Sequence, residues 1–227
     1  MSELSLVILD LDGTLVDSRQ LIIHIMNVAA DEAGIPHPTD EATGRIIGLS
    51  LERAIEELFP DESSRSRAGV LDAYRVEALR MRADPADPES LFIGAHEAVR
   101  ALRDAGYLLG IATGKARRGV EHFCTRYNMG GWFDTVQTPD TNPSKPHPGM
   151  IESAMAETGI PASRTVMVGD TVFDLEMARN AGVFGVGVSW GNHPVCELER
   201  AGSHHIVEAI EDLPQVIANV FQQGAQA

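Results

Sequence analysis

The chain has 227 residues, 44% of them hydrophobic and 22% charged, which suits a globular protein of one large or two small domains. A formal charge of −15 argues against a nucleic-acid partner, because counterion release needs clustered Lys and Arg. No apolar run approaches the roughly 18 residues of a membrane span, and the N-terminal stretch has no basic segment, so a cytoplasmic protein without a membrane partner is expected.

In chain order, Leu4 to Leu9 is an apolar run that ends at Asp10-Leu11-Asp12-Gly13, the pattern of a buried parallel-type strand followed by a turn. The period then becomes helical. Asp17 with Gln20 predicts a capping box, and Leu21, Ile22, Ile25, Met26, Ala29 and Ala33 mark one face of a helix closed by Gly34 and Pro36. Further helices are expected over Asp40–Ile47, over Leu51–Leu58 before Pro60, and after Asp61 through Leu71, Tyr74, Ala78 and Met81. The stretch from Ser18 to Met81 shows no strand pattern, so it predicts a small helical bundle.

The Pro- and Asp-rich segment Ala83–Pro88 cannot continue a helix and sets a domain boundary. Strands and helices alternate beyond it. Helices are expected over Ala95–Asp104, Val120–Tyr127, Pro148–Thr158 and Val172–Ala181, and strands over Tyr107–Ala112, Phe133–Gln137, Thr165–Val168, Val183–Val188 and His205–Val207. Such alternation implies an α/β fold, a doubly wound parallel sheet of Rossmann-like type. The helical block is then an insertion of residues 17–86, leaving the core domain in two pieces, 1–16 and 87–227. Cys124 and Cys196 lack CxxC spacing and read as small core residues of a reducing compartment.

Ligands of open α/β sheets bind beyond the carboxyl ends of the strands. Asp10, Thr113 and Asp170 each fall at such an end, and Lys145, one of only two lysines, lies in the loop before a helix. Asp174 follows Asp170 by one helical turn, so both carboxylates can face one ion. Asp10, Asp12, Asp170 and Asp174 would raise one another's pKa unless a cation joined them. An all-oxygen set without His or Cys suits Mg²⁺. The substrate is expected to carry its own negative group.

Asp10-Leu11-Asp12-Gly13-Thr14, Thr113, Lys145 and Gly169-Asp170-Thr171-Val172-Phe173-Asp174 resemble the four motifs of the haloacid dehalogenase superfamily. The helical insertion resembles the cap of the subgroup that contains phosphoglycolate phosphatase and β-phosphoglucomutase. The resemblance implies a Mg²⁺-dependent phosphatase of a small phosphorylated metabolite, acting through an aspartyl phosphate. It makes Asp10 the nucleophile and Asp12 the general acid and base. Thr113 and the Gly114 amide would hold phosphoryl oxygens, and Lys145 would balance charge on nucleophile and phosphate. Asp10, Asp170 and the Asp12 carbonyl would bind the metal, with Asp174 acting through a metal-bound water or orienting Lys145.

Within that superfamily, Asp12 argues against dehalogenation, whose leaving group needs no proton. The absence of lysine from residues 17–86 argues against Schiff-base cleavage of phosphonates. A phosphomutase keeps the same residues and is the alternative enzyme; a non-catalytic binding protein with a vestigial site is the alternative of another class. In the insertion, Gly48 lies in a segment resembling the family's specificity loop, and Arg45 and Arg53 flank it as possible contacts to a substrate carboxylate. His147 and His193 are expected to be rim or packing groups rather than ligands. A monomer or small homo-oligomer is expected.

Overall fold

The structure, a computed structural model, describes residues 4–83 and 89–224. The first strand, β1 (Leu6–Leu9), alternates strictly: Leu6 and Ile8 enter one buried cluster while Val7 and Leu9 enter another on the opposite face. Side chains on a strand point to alternate faces, so an uninterrupted apolar run marks a strand covered on both sides. Each such side chain, wholly removed from water, contributes about 1.5–3 kcal/mol.

β1 pairs in parallel with β4 (Leu108–Ala112) on one side and β6 (Thr165–Gly169) on the other. With β5 (Thr135–Gln137), β7 (Phe184–Val188) and β8 (His205–Val207) they form one six-stranded parallel sheet in the order β5-β4-β1-β6-β7-β8. The chain builds outward from β1 to β5, then returns to build β6 to β8 on the other side. The reversal leaves a crevice at the carboxyl end of β1, where a doubly wound sheet places its ligand.

Helices cover both faces. On one, α5 (Ala95–Asp104), α6 (Arg117–Arg126) and α10 (Leu213–Gly224) supply Val99, Leu102, Phe123, Leu213 and Ile217. On the other, α7 (Gly149–Thr158) and α8 (Val172–Ala181) supply Met150, Ile151, Ala154 and Met177. The fold is therefore α/β with a Rossmann-like sheet, as the alternation of periods predicts. A further short helix, α9 (Val195–Ala201), and α10 itself carry no expectation from the sequence.

Between β1 and β4 lie α1 (Arg19–Ala33), α2 (Asp40–Arg45), α3 (Leu51–Leu58) and α4 (Ser64–Ala83), with no strand among them. α1, α3 and α4 share a separate apolar cluster built on Met26, Ala29, Ile55, Phe59 and Val70. The expected capping box at Asp17 is absent. Asp17 belongs to a two-residue strand, β2 (Val16–Asp17), paired antiparallel with β3 (Ser90–Leu91), and Ser18 is the N-cap of α1 without a side-chain bond. Pairing with β3 holds the backbone of Asp17 extended, which a single local capping motif does not overcome. The segment expected to separate domains falls largely on residues 84–88, outside the described residues. Cys196 is exposed and Cys124 half-buried, so neither is the core residue expected.

Candidate active site

The β1 ladder continues one residue past the strand, with the Asp10 amide donating to the Val168 carbonyl at 3.0 Å, and this fixes Asp10 in the crevice. The chain then folds back on itself: the amides of Thr14, Leu15 and Val16 all donate to the Leu11 carbonyl. Gly13 sits in this turn at φ +90, where a side chain would strike the Asp170 carboxylate and the Asn192 amide. The turn solves the problem posed by two carboxylates one residue apart on an extended chain. Asp10 is wholly buried in the crevice, and Asp12 is turned to its edge.

Lys145 reaches Asp10 from the loop before α7. Its ammonium lies 3.0 Å from Asp10 Oδ1 and 2.6 Å from Asp174 Oδ1, and all three side chains are shut from solvent. Burial opposes the charge on Lys145, but Asp10 and Asp174 outweigh it and hold the lysine protonated above its ordinary range. Asp174 is held in turn. Its Oδ2 accepts from the Thr171 amide at 3.1 Å and hydroxyl at 2.7 Å, and the Thr171 hydroxyl accepts from the Asp174 amide, a reciprocal cap on α8. Both Asp174 oxygens are thus committed within the protein.

Asp170, at the end of β6, accepts from the Thr14 hydroxyl at Oδ1 (2.9 Å) and from the Asn192 amide and side chain at Oδ2 (2.8 and 2.9 Å). Burial, and then the Asp174 charge, still push its carboxyl up to about 6. Asp10 is pushed well above the carboxylate range, again by burial first, against the pull of Lys145. Asp10, Asp170 and Asp174 each offer an oxygen within 4.8 Å of the others. Asp10 Oδ2 is buried with no hydrogen-bond partner among the described residues, and Asp170 Oδ1 has one donor and spare acceptor capacity. A hard divalent cation fits this oxygen set: it would partner the orphaned oxygen and offset the carboxylate charge that burial makes unfavourable.

Thr113 follows β4 and is buried; its hydroxyl accepts from the Lys115 amide at 3.2 Å. The adjoining Gly114 lies under the 46–50 loop so closely that an added Cβ would strike the Leu49 and Gly48 carbonyls. The same loop is fastened by the Ser50 amide, which donates to Ser144 Oγ beside Lys145 at 2.9 Å. His193 forms another bridge. Its Nδ1 accepts from the Val172 amide (3.1 Å) and its Nε2 faces the Arg45 carbonyl (3.1 Å), so of the two expected roles, rim or packing, it takes the packing one. Burial holds its pKa below the ordinary value. His147 is exposed, as expected of a rim group.

A cavity of about 360 Å³ opens between α1, α3, α4 and the loops after β1 and β4. Asp12, Gly48, Gly114 and Lys115 line it; Arg45 and Arg53 do not. The Arg45 guanidinium pairs with Glu197 at 2.7 Å, and Arg53 pairs with Glu56 and Glu57 along its own helix. Both guanidinium groups are thereby engaged outside the cavity, as partly exposed helix arginines rather than as the possible substrate contacts.

Sequence reasoning missed several groups. Lys115, the second lysine, lies 3.1 Å from Asp12 Oδ1 and 3.0 Å from Glu89 Oε2. Burial opposes its charge, but Asp12 and Glu89 raise its pKa above the ordinary value. The scarcity of lysine was the one signal pointing to it. Thr14 stood in the first motif without a role of its own, and Asn192 carried no signal, because an amide is common in loops.

At the switch point of a parallel sheet, buried carboxylates and a buried lysine thus converge within hydrogen-bonding distance. Residues 7–188 match the haloacid dehalogenase-like hydrolase family, and the chain belongs to it. It is 35% identical over 212 residues to Probable phosphatase IndB of Dickeya dadantii, covering 92% of this chain and 91% of that one. It is 31% identical over 216 residues to a phosphoglycolate phosphatase of Caulobacter vibrioides, covering 91% and 87%. A hydrolase from Pseudomonas syringae has the same fold, with a TM-score of 0.84 over 96% of this chain and 99% of that one at 24% identity. The protein is an enzyme, a hydrolase of the haloacid dehalogenase-like family.

Proposed function

We propose that the enzyme hydrolyses the phosphate monoester of a small metabolite through a phosphorylated Asp10, with Asp12 as proton carrier. The observation that supports this most strongly is the buried Asp10 carboxylate, with one oxygen unpartnered and the other on the Lys145 ammonium. In this reading the Asp10 carboxylate attacks phosphorus, and the bond to the alcohol oxygen breaks. Asp12 gives that oxygen its proton. Asp12 Oδ1 faces Lys115, which leaves Oδ2 to carry the proton. Asp12 then takes a proton from water as it attacks phosphorus, and the Asp10 carboxylate is regenerated with release of phosphate.

Thr113 and the Gly114 amide would receive phosphoryl oxygens, and Lys145 would neutralise charge on Asp10 and on the phosphate. Asp174 would orient Lys145, the role that its short contact favours over a water-mediated one. Asp10, Asp170 and the Asp12 carbonyl would hold Mg²⁺, which supplies charge neutralisation for the carboxylates and the transferring group.

Residues 1–16 and 87–227 are read as the core domain and 17–86 as a cap that covers the site and excludes water. The cytoplasm is the proposed location, with a small phosphorylated metabolite as partner and neither membrane nor nucleic acid. In support, no helix among the described residues is long and apolar enough to cross a membrane.

The test is Asp10→Asn assayed with p-nitrophenyl phosphate and Mg²⁺, beside mass spectrometry of acid-quenched wild-type enzyme. Loss of turnover, and a phosphate adduct on the Asp10 peptide, are expected. Retained activity in Asp10→Asn overturns the mechanism.

A further inference from the structure

We infer that the alcohol of this enzyme's phosphate ester has an apolar, ring-sized body bearing a second anionic group, and is not a two-carbon acid. The inference rests on the phosphatase reading above and concerns the part of the substrate that does not react.

Asp10 and Lys145 are buried and do not line the cavity, whereas Asp12, two residues beyond Asp10, lines it together with Gly114 and Lys115. A phosphate at Asp10 therefore directs its alcohol oxygen past Asp12 and into the cavity. The volume of about 360 Å³ is in the range of pockets that hold whole ring-bearing ligands. Its walls are mainly hydrocarbon: Ile22, Met26, Leu51, Ala54, Tyr74 and Ala78 come from three helices. Glycolate has a single methylene to set against them. It would leave most of that wall wetted, and wetted apolar surface contributes nothing to binding.

The charges point to the second group. Three carboxylates line the cavity, and each is already engaged. Asp12 faces Lys115, Glu52 holds Arg75 at 2.6 Å, and Asp140 accepts from the Arg117 amide and the Thr138 hydroxyl. Two further lining cations, Arg82 and Arg118, have no hydrogen-bond or ion-pair partner among the described residues. Arg82 is half-buried and Arg118 exposed, so both guanidinium groups are open to a ligand at one cavity. Paired guanidinium donors suit a planar carboxylate or a second phosphate. Both share the chemistry of an oxyanion at the far end of an apolar body.

The experiment compares kcat/KM of the full chain with Mg²⁺ for 2-phosphoglycolate, benzyl phosphate and 4-carboxybenzyl phosphate, with p-nitrophenyl phosphate as general control. Efficiency should rise in the order named, by about tenfold or more from phosphoglycolate to the benzyl ester, because a filled apolar pocket discriminates on that scale. The ratio of carboxybenzyl to benzyl ester should fall toward one in Arg82→Gln/Arg118→Gln. Ala78→Phe, which fills the cavity, should lower both ring esters more than phosphoglycolate. Phosphoglycolate turned over as well as the ring esters overturns the inference while leaving the phosphatase reading intact. A carboxybenzyl ester no better than benzyl phosphate overturns the assignment of the arginines. No hydrolysis of any of the four esters overturns the phosphatase reading itself.

Discussion

Lys115 Nζ lies 3.1 Å from Asp12 Oδ1, and the same ammonium reaches Glu89 Oε2 at 3.0 Å. The other lysine, Lys145, is placed in the same way between Asp10 and Asp174. Each carboxylate of the Asp10-Leu11-Asp12 motif therefore faces its own lysine, and each lysine is steadied by a second carboxylate. Lys115→Met should leave Asp12 without its positioning charge. A fall in kcat of about tenfold to a hundredfold is expected, within the range that general acid–base catalysis supplies, with a smaller change in KM. Glu89→Gln, which keeps the Asp12 contact, should lower kcat less. Steady-state kinetics of the two variants with p-nitrophenyl phosphate checks the order.

Asp174 holds a buried lysine and caps α8 at once. Asp174→Asn keeps an acceptor for Thr171 but removes the charge that faces Lys145. Leaving a buried charge with half its partners costs on the order of 3 kcal/mol. Urea unfolding should report that loss as a lower midpoint at unchanged m-value.

The carboxylate cluster also sets a pH dependence. Burial raises Asp170 to about 6, above the ordinary carboxyl value, so its protonated form favours the folded state. That contribution is complete below the ordinary carboxyl range and is lost as pH rises through about 6. A metal needs the ionised form, so the sign for Mg²⁺ is opposite. The thermal shift on adding Mg²⁺ should grow from pH 5 to pH 7. At tenfold excess over Kd it should reach about 1.4 kcal/mol, or roughly 3–6 °C. A shift that is constant over this range, or absent, would count against the cluster as the metal site.

Gly114 lies directly beneath the Gly48 and Leu49 carbonyls, so Gly114→Ala should push the 46–50 loop off the core. Displacements of about 1 Å can cost about a hundredfold in rate. A fall in kcat/KM of that order is expected, with the circular dichroism spectrum unchanged.

Arg45 and Arg53 give the opposite expectation. Their guanidinium groups are engaged with Glu197, Glu56 and Glu57 outside the cavity, and such exposed pairs contribute about 0–1 kcal/mol. Arg53→Ala should leave kcat/KM within about twofold. Arg45→Ala removes only a tie to α9 and should raise KM slightly, if at all. A tenfold loss in either variant would return them to the substrate.

The sheet was legible because its signal is local. Leu4 to Leu9 is apolar except for Ser5, and so short a run ended by Asp and Gly reads as a strand covered on both faces. Asp10, Thr113, Lys145 and Asp170 were legible for a related reason: each ends or precedes an element whose period can be read, and a parallel sheet gathers such ends, while Asp174 follows Asp170 by one helical turn. The insertion was legible as helices for the same reason, but its working surface was not. The 3.6 period assigns Tyr74 and Ala78 to an inward face without revealing that this face borders a cavity. It does not say that Arg82 and Arg118 stand at that cavity's edge while Arg45 turns to Glu197. The Asp17 expectation failed where a remote strand, β3, competed with a local cap. By itself, then, the sequence determined the α/β sheet, which follows from periods along the chain, and a set of strand-end residues whose motifs resemble those of one superfamily. Only the tertiary structure decided which lysine faces which carboxylate and which arginines are left uncommitted. Those depend on approach across the fold, between residues as distant as Asp10 and Lys145, and no local period carries that information.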